Sequence, residues 1–169
     1  MRRRLLQDFL DQIRQALYQN LYYVALMMCL ALPDICGAID SSDGQASRTQ
    51  YISWYNQYAA SICPFFDGQA CYFFRCSMLH QGSTMNPNGN FSRILFVEPG
   101  ATTNVFHCNV LNDALNLDVG IFCTAMLDCA QRWLNSVLGT PRFSANYDKF
   151  LRRYPKGLPP HIVGISVIG

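Results

Sequence analysis

Charged side chains are scarce in this sequence: they make up 14% of its 169 residues, and Glu98 is the only glutamate. A single glutamate argues against catalysis by a pair of glutamates, although ten aspartates remain. The formal net charge of +2 is too small to indicate nucleic-acid binding by itself. Half of the residues are apolar, which argues against disorder, and we expect an oligomer to cover part of the apolar surface.

A long apolar run is also absent, and we expect no secretory leader. Its start is basic, but polar residues such as Gln7, Asp8 and Asp11 interrupt the apolar ones. The longest apolar run, at 21–32, covers about a dozen residues, which is too short to span a bilayer and is typical of a buried core helix. We therefore predict a cytoplasmic protein without membrane contact, whose eight cysteines are reduced.

Glycine loops that cradle phosphate and Cys-x2-Cys metal ligands are both absent from the sequence. Cys76 and His80 have a spacing that can chelate zinc, with Cys71, His107 and Cys108 as conceivable further ligands. A cysteine nucleophile with His80 or His107 as its base is another alternative, but no acidic partner lies close in sequence. Because most cysteines lie among hydrophobic residues, we favour core packing over both and predict neither a metal nor a cofactor.

Hydrophobic periodicity predicts a mainly α-helical fold, a bundle of four to five main helices in a single domain over 1–169. The helices are expected at about 3–18, 21–32, 48–60, 68–81 and 113–138, with a short one at 147–153. Pro33 is expected to end the second helix, and Gly82 the fourth. Ser47 and Asp67 are expected to cap the third and fourth helices.

The β structure is expected to be a small hairpin and edge-strand appendage. Two strands, at 94–97 and 104–110, are predicted within an insert at about 91–111, joined at Pro99-Gly100. A C-terminal extension at about 140–169 is expected to end in an edge strand at 162–168.

The most informative segment is 75–80, Arg-Cys-Ser-Met-Leu-His, on the fourth predicted helix. Five steps of about 100° place Arg75 and His80 about 140° apart around the helix axis and about 7.5 Å apart along it. The two side chains therefore converge only if His80 lies where the helix ends, or if a second copy of the chain completes the site.

The run from Phe74 to Gly82 resembles the signature of the HEPN superfamily, an arginine followed several positions later by a histidine near the end of a bundle helix. The resemblance implies a metal-independent endoribonuclease that acts on RNA as a homodimer, often in toxin systems or phage defence. It implies that Arg75 holds the scissile phosphate and that His80 moves protons between the 2′-hydroxyl and the leaving oxygen. Cys76 stands where the family usually has a supporting polar residue, and Ser77 is the candidate substitute.

The chemistry of RNA cleavage fits these residue types independently. Attack by a 2′-hydroxyl needs a group that titrates near neutral pH, which histidine supplies. The charge that develops on the phosphate needs a fixed cation, and a guanidinium fork fits two of its oxygens. The spacing also arises by chance, so the alternative is a catalytically inactive HEPN-like interaction or regulatory module. In either case an antitoxin-like or regulatory protein is an expected partner.

Overall fold

The computed structural model describes residues 6–85 and 89–169. The described chain contains six α-helices: α1 Gln7–Tyr18, α2 Tyr22–Ile39, α3 Arg48–Tyr58, α4 Gly68–Gln81, α5 Val119–Val137 and α6 Pro141–Tyr147. Its short strands are β1 Arg93–Val97, β2 Asn109–Leu111, β3 Ala114–Asp118, β4 Arg153–Tyr154, β5 Gly157–Leu158, β6 Ile162–Val163 and β7 Val167–Ile168. The protein is mainly α-helical with a small β appendage. The first residues of the helix predicted at 3–18 lie outside the described ranges.

Helix α2 is central to the bundle and contacts α1, α3, α4, α5 and α6. The prediction that Pro33 ends this helix is wrong, because α2 runs through Pro33 to Ile39. A proline inside a helix removes a backbone donor and costs about 3 kcal/mol. Cys36 and Ile39 lie beyond Pro33 and are buried, and their burial offsets that cost.

The length of α2 bears on the predicted absence of membrane contact. By length and composition α2 could cross a membrane, since it has 18 residues with a mean hydropathy of 1.7. The helix is therefore longer than the dozen residues predicted for it. Its length does not exclude that it spans a membrane. Half of α2 is buried inside the bundle, however, as in the core helix of a soluble protein.

Local capping signals position α3 and α4 as predicted. The Ser47 side chain accepts a hydrogen bond from the Gln50 amide, and Asp67 accepts one from the Ala70 amide. Gly82 follows α4 with a φ of 62°, the left-handed conformation that glycine adopts most readily. The ends of the motif helix are therefore fixed by its own sequence.

The sheet differs from the predicted hairpin. β1 is confirmed, but it pairs in parallel with β3, and β2 pairs antiparallel with the other edge of β3. Residues 114–118 were predicted as the start of a long helix and are instead a strand. The reason is local: Asn112 and Asp113 adopt positive φ angles of 46° and 61° and reverse the chain. Asp118 then caps α5 by accepting from the Ile121 amide.

The C-terminal region folds back on the bundle through α6. The helix predicted at 147–153 is wrong, because the helix lies earlier in the chain, at Pro141–Tyr147. Thr140 caps it and Pro141 occupies its first turn, where a proline is well tolerated. The Asn146 amide group donates to the carbonyl oxygens of Ile39 and Ser41, at 3.0 and 2.7 Å. The tail predicted as one edge strand forms two short antiparallel ladders, β4 with β7 and β5 with β6.

A disulfide joins Cys63 to Cys108. The prediction that all eight cysteines are reduced is wrong for this pair, while the other six are free. Beside the bridge, His107 Nε2 lies 3.1 Å from the carbonyl oxygen of Ile62. The segment that leads into β2 is thereby fastened to the chain between α3 and α4.

Candidate active site

Helix α4 carries the predicted site and has two unlike environments around it. Its buried side contributes Cys71, Phe74 and Met78 to the core. Its opposite side, called here the open face, consists of Gln69, Tyr72, Phe73, Cys76, Leu79 and His80, all of them partly or fully exposed. Most of the open face is therefore apolar or aromatic, which is unusual for a helix side turned to water.

Arg75 lies at the boundary between the two sides of α4 and binds α2. Its Nη2 atom forms an ion pair with Oδ2 of Asp34, and the two side chains are only 20% and 15% exposed. Its Nη1 atom lies 3.6 Å from Sγ of Cys76. The guanidinium carbon lies 5.9 and 5.8 Å from the ring centres of Tyr51 and Tyr72. Arg75 is thus fixed in position by its own protomer.

The electrostatics of this pair follow from its burial. Burial raises the pKa of Asp34 above its ordinary value, and the facing guanidinium opposes the rise. Burial also opposes the charge on Arg75, but Cys76 and Asp34 outweigh it and raise the pKa of Arg75. Arg75 is cationic under all ordinary conditions. A phosphate that binds Arg75 would therefore share it with Asp34.

His80 is exposed in the last turn of α4, where the sequence predicted it. No described residue forms a hydrogen bond with its ring, and none links it to Arg75 or Asp34. Within the described residues, one protomer therefore does not assemble the arginine and the histidine into a site.

The two supporting residues behave differently. Cys76 contacts Arg75 and is the one free cysteine outside the buried set, so it touches the candidate site. The hydroxyl of Ser77 forms no hydrogen bond to Arg75 or His80 in the part of the chain described. Ser77 instead contributes its carbonyl oxygen, which accepts from the Ser83 amide at the end of the helix.

The residues that the sequence suggested as zinc ligands do not form a metal site in the described residues. Cys108 is bridged to Cys63, and His107 is bonded to the Ile62 carbonyl. Burial raises the pKa of Cys71 to about 12, with the hydrogen bond between Cys71 and Tyr51 opposing the rise, so this thiol is a poor ligand or nucleophile. Across 6–85 and 89–169, potential metal ligands do not gather in groups of three or more.

Sequence reasoning missed two residues of the site, Asp34 and Arg48. Asp34 lies 41 residues before Arg75, and no local pattern links the two. The Arg48 guanidinium carbon lies 4.8 Å from the ring centre of Phe73 and 5.7 Å from that of Tyr72. Arg48 has no ion-pair partner among the described carboxylates and therefore adds a positive charge to the open face.

Comparison of the chain with models of protein families, with curated proteins and with solved structures finds no match. Assignment of a function therefore depends on the residues of α4, on their surroundings and on the resemblance of the motif.

Proposed function

We propose that the protein is a metal-independent endoribonuclease of the HEPN type, in which two copies of α4 meet through their open faces. The observation that carries the proposal is the open face itself. It combines an apolar surface suited to burial with His80 at its end and Arg75 at its edge. A two-fold axis across this face places both histidines and both arginines beside one crevice, where an RNA strand binds.

In this dimer the RNA 2′-hydroxyl attacks the adjacent phosphorus while His80 accepts its proton. The bond to the 5′-oxygen breaks, and histidine returns a proton to that oxygen, leaving a 2′,3′-cyclic phosphate. Arg75 stabilises the charge on the phosphate oxygens. The guanidinium donates one N–H from Nη2 to Asp34 and one from Nη1 to Cys76. Each of these two nitrogens keeps a second N–H that can bind the phosphate.

Cleavage of RNA in the presence of EDTA tests the chemistry. We expect a cyclic-phosphate product, and we expect His80→Ala to lower the rate by about 10²- to 10⁴-fold, the usual contribution of a general acid or base. His161→Ala is the matched control, because His161 is exposed in the C-terminal tail. Normal cleavage by His80→Ala would rule out the proposed mechanism.

The natural cysteines allow a direct test of the dimer. Because the other free thiols are buried, a short bismaleimide should react first at Cys76. We expect a covalent dimer on a denaturing gel and none from Cys76→Ser. A chain that sediments as a monomer and gives no cross-link at high concentration contradicts the dimer and, with it, the composite site.

The second candidate function is the inactive interaction or regulatory module, and the Asp34–Arg75 ion pair favours it. In a module of this kind Arg75 serves stability alone, and the open face binds an antitoxin-like or regulatory protein. A protein that dimerises but leaves all tested RNA intact, with His80→Ala no different from the natural protein, supports this function over the nuclease.

A further inference from the structure

A concave site separate from α4 lies beside Asp34 and contains no residue of α4. It is a cleft of about 230 Å³ between the C-terminal half of α2, the loop at 40–47 and the end of α6. Its apolar walls are formed by Ile35, Ala38, Ile39, Ala46 and Phe150.

The cleft is built by specific contacts that hold its walls together. Asn146 is 7% exposed and bonds to the carbonyl oxygens of Ile39 and Ser41, which fixes α6 against the end of α2. Gly44 has a φ of 77°, and a Cβ there would lie 2.9 Å from Oδ1 of Asn146 and 3.2 Å from Nζ of Lys149. Only glycine lets the loop approach this closely, so the shape of the cleft is preformed.

The two ends of the cleft carry opposite charges that are not equally free. Asp34 at one end is balanced by Arg75. Lys149 at the other end is exposed, and the contact made by its Nζ atom is a long one, 3.5 Å, to the carbonyl oxygen of Asp43. No described carboxylate lies within 4 Å of this ammonium group. Hydrogen bonds from the Gln45 amide and the Ser41 hydroxyl lower the pKa of Asp43, and the charge of Lys149 adds to this effect, so the Asp43 carboxylate offsets part of the ammonium charge. No ion pair with a described residue fixes the ammonium group, however, and it is the cation of the cleft that is free to meet an anion.

We propose that this cleft binds a small monocarboxylate with a single ring or a short aliphatic body. The apolar body lies against Ile35, Ala38 and Phe150, and the carboxylate meets Lys149. The volume suits such a molecule, since an apolar cavity of about 150 Å³ already holds benzene. Binding here does not depend on nuclease activity, although an occupant would touch Asp34 and so reach the residue that positions Arg75.

A titration of the full-length protein by NMR tests the proposal with phenylacetate and its neutral isostere phenylacetamide. We expect both compounds to bind saturably. Phenylacetate should bind about tenfold more tightly, because only its carboxylate forms a hydrogen bond between two charged groups with Lys149. Lys149→Met should weaken phenylacetate to the level of the amide and leave the amide unchanged. Lys156→Met, which removes a lysine outside the cleft, should change neither.

Filling the cleft provides the second arm of the test. Ala46→Phe places a large side chain over the cleft from an exposed position and should abolish binding of both probes. Ala38→Leu does the same from α2 if the first variant does not fold, as checked by circular dichroism. Binding that both filled variants retain, equal affinity for the acid and the amide, or no saturable binding at millimolar concentration would each overturn the proposal.

Discussion

The two sides of α4 carry similar residues and have opposite environments. Phe73 and Phe74 are neighbours in sequence, yet Phe74 is 1% exposed while Phe73 remains partly open to solvent. Phe74 packs edge-on or tilted against Phe66 and Phe96, at 6.1 and 5.5 Å between ring centres. Hydrophobicity alone therefore does not tell which side of this helix is core. The apolar residues on the open face are exposed in the protomer, and under the proposed function a second copy covers them.

Replacing each of these two phenylalanines by alanine should give the largest difference in stability between the two sides of α4. We expect Phe74→Ala to lower the free energy of unfolding by about 3 to 5 kcal/mol, because it leaves a cavity in the core. Phe73→Ala should lower protomer stability by less than about 1 kcal/mol, as is usual away from the core. It should instead weaken self-association in sedimentation experiments.

Urea denaturation under conditions that keep the protein monomeric measures the first effect. If Phe73→Ala were as destabilising as Phe74→Ala under those conditions, the open face would be part of the core and the comparison between the two sides would fail.

The ion pair at the boundary should have the next largest effect. Asp34→Ala and Arg75→Ala should each cost about 2 kcal/mol, because each leaves a partly buried charge without its partner. Removing both should cost clearly less than the sum of the single variants. A double-mutant cycle in urea gives this coupling directly, and additive losses would show that the pair contributes nothing to stability.

The smallest expected effect concerns Arg48 on the open face. Its contact with Phe73 and Tyr72 is a cation–π interaction at the surface, worth about 0.5 to 1 kcal/mol. Arg48→Ala should therefore lower the thermal midpoint slightly, whereas Arg48→Lys should retain part of the interaction. An effect as large as that of Asp34→Ala would place Arg48 inside the structural core of the site.

The features that the sequence predicted correctly are those that local chemistry decides. Ser47, Asp67 and Gly82 set the ends of α3 and α4 through bonds within a few residues. The turn at Asn112 and Asp113 is equally local, and recognising it would have separated β3 from α5.

Other features depend on residues that are distant in the chain. Pro33 does not end α2, because burial against five other helices outweighs a local preference. Asp34 meets Arg75 only when α2 and α4 pack together, and Cys63 lies 45 residues from Cys108. The sequence thus predicted the placement of His80 at a helix end, but it could not predict that Arg75 is already engaged. The resemblance of 74–82 to the HEPN signature stays a prediction.

The bridge between Cys63 and Cys108 encloses α4 and β1 in one covalent ring. A single proteolytic cut in the exposed loop at 99–105 would therefore leave the protein in one piece until the bridge is reduced. After such a cut, the fragment that carries α4 would remain linked through the bridge to the fragment that begins before β2. Local damage to this loop would therefore not separate α4 from the rest of the fold.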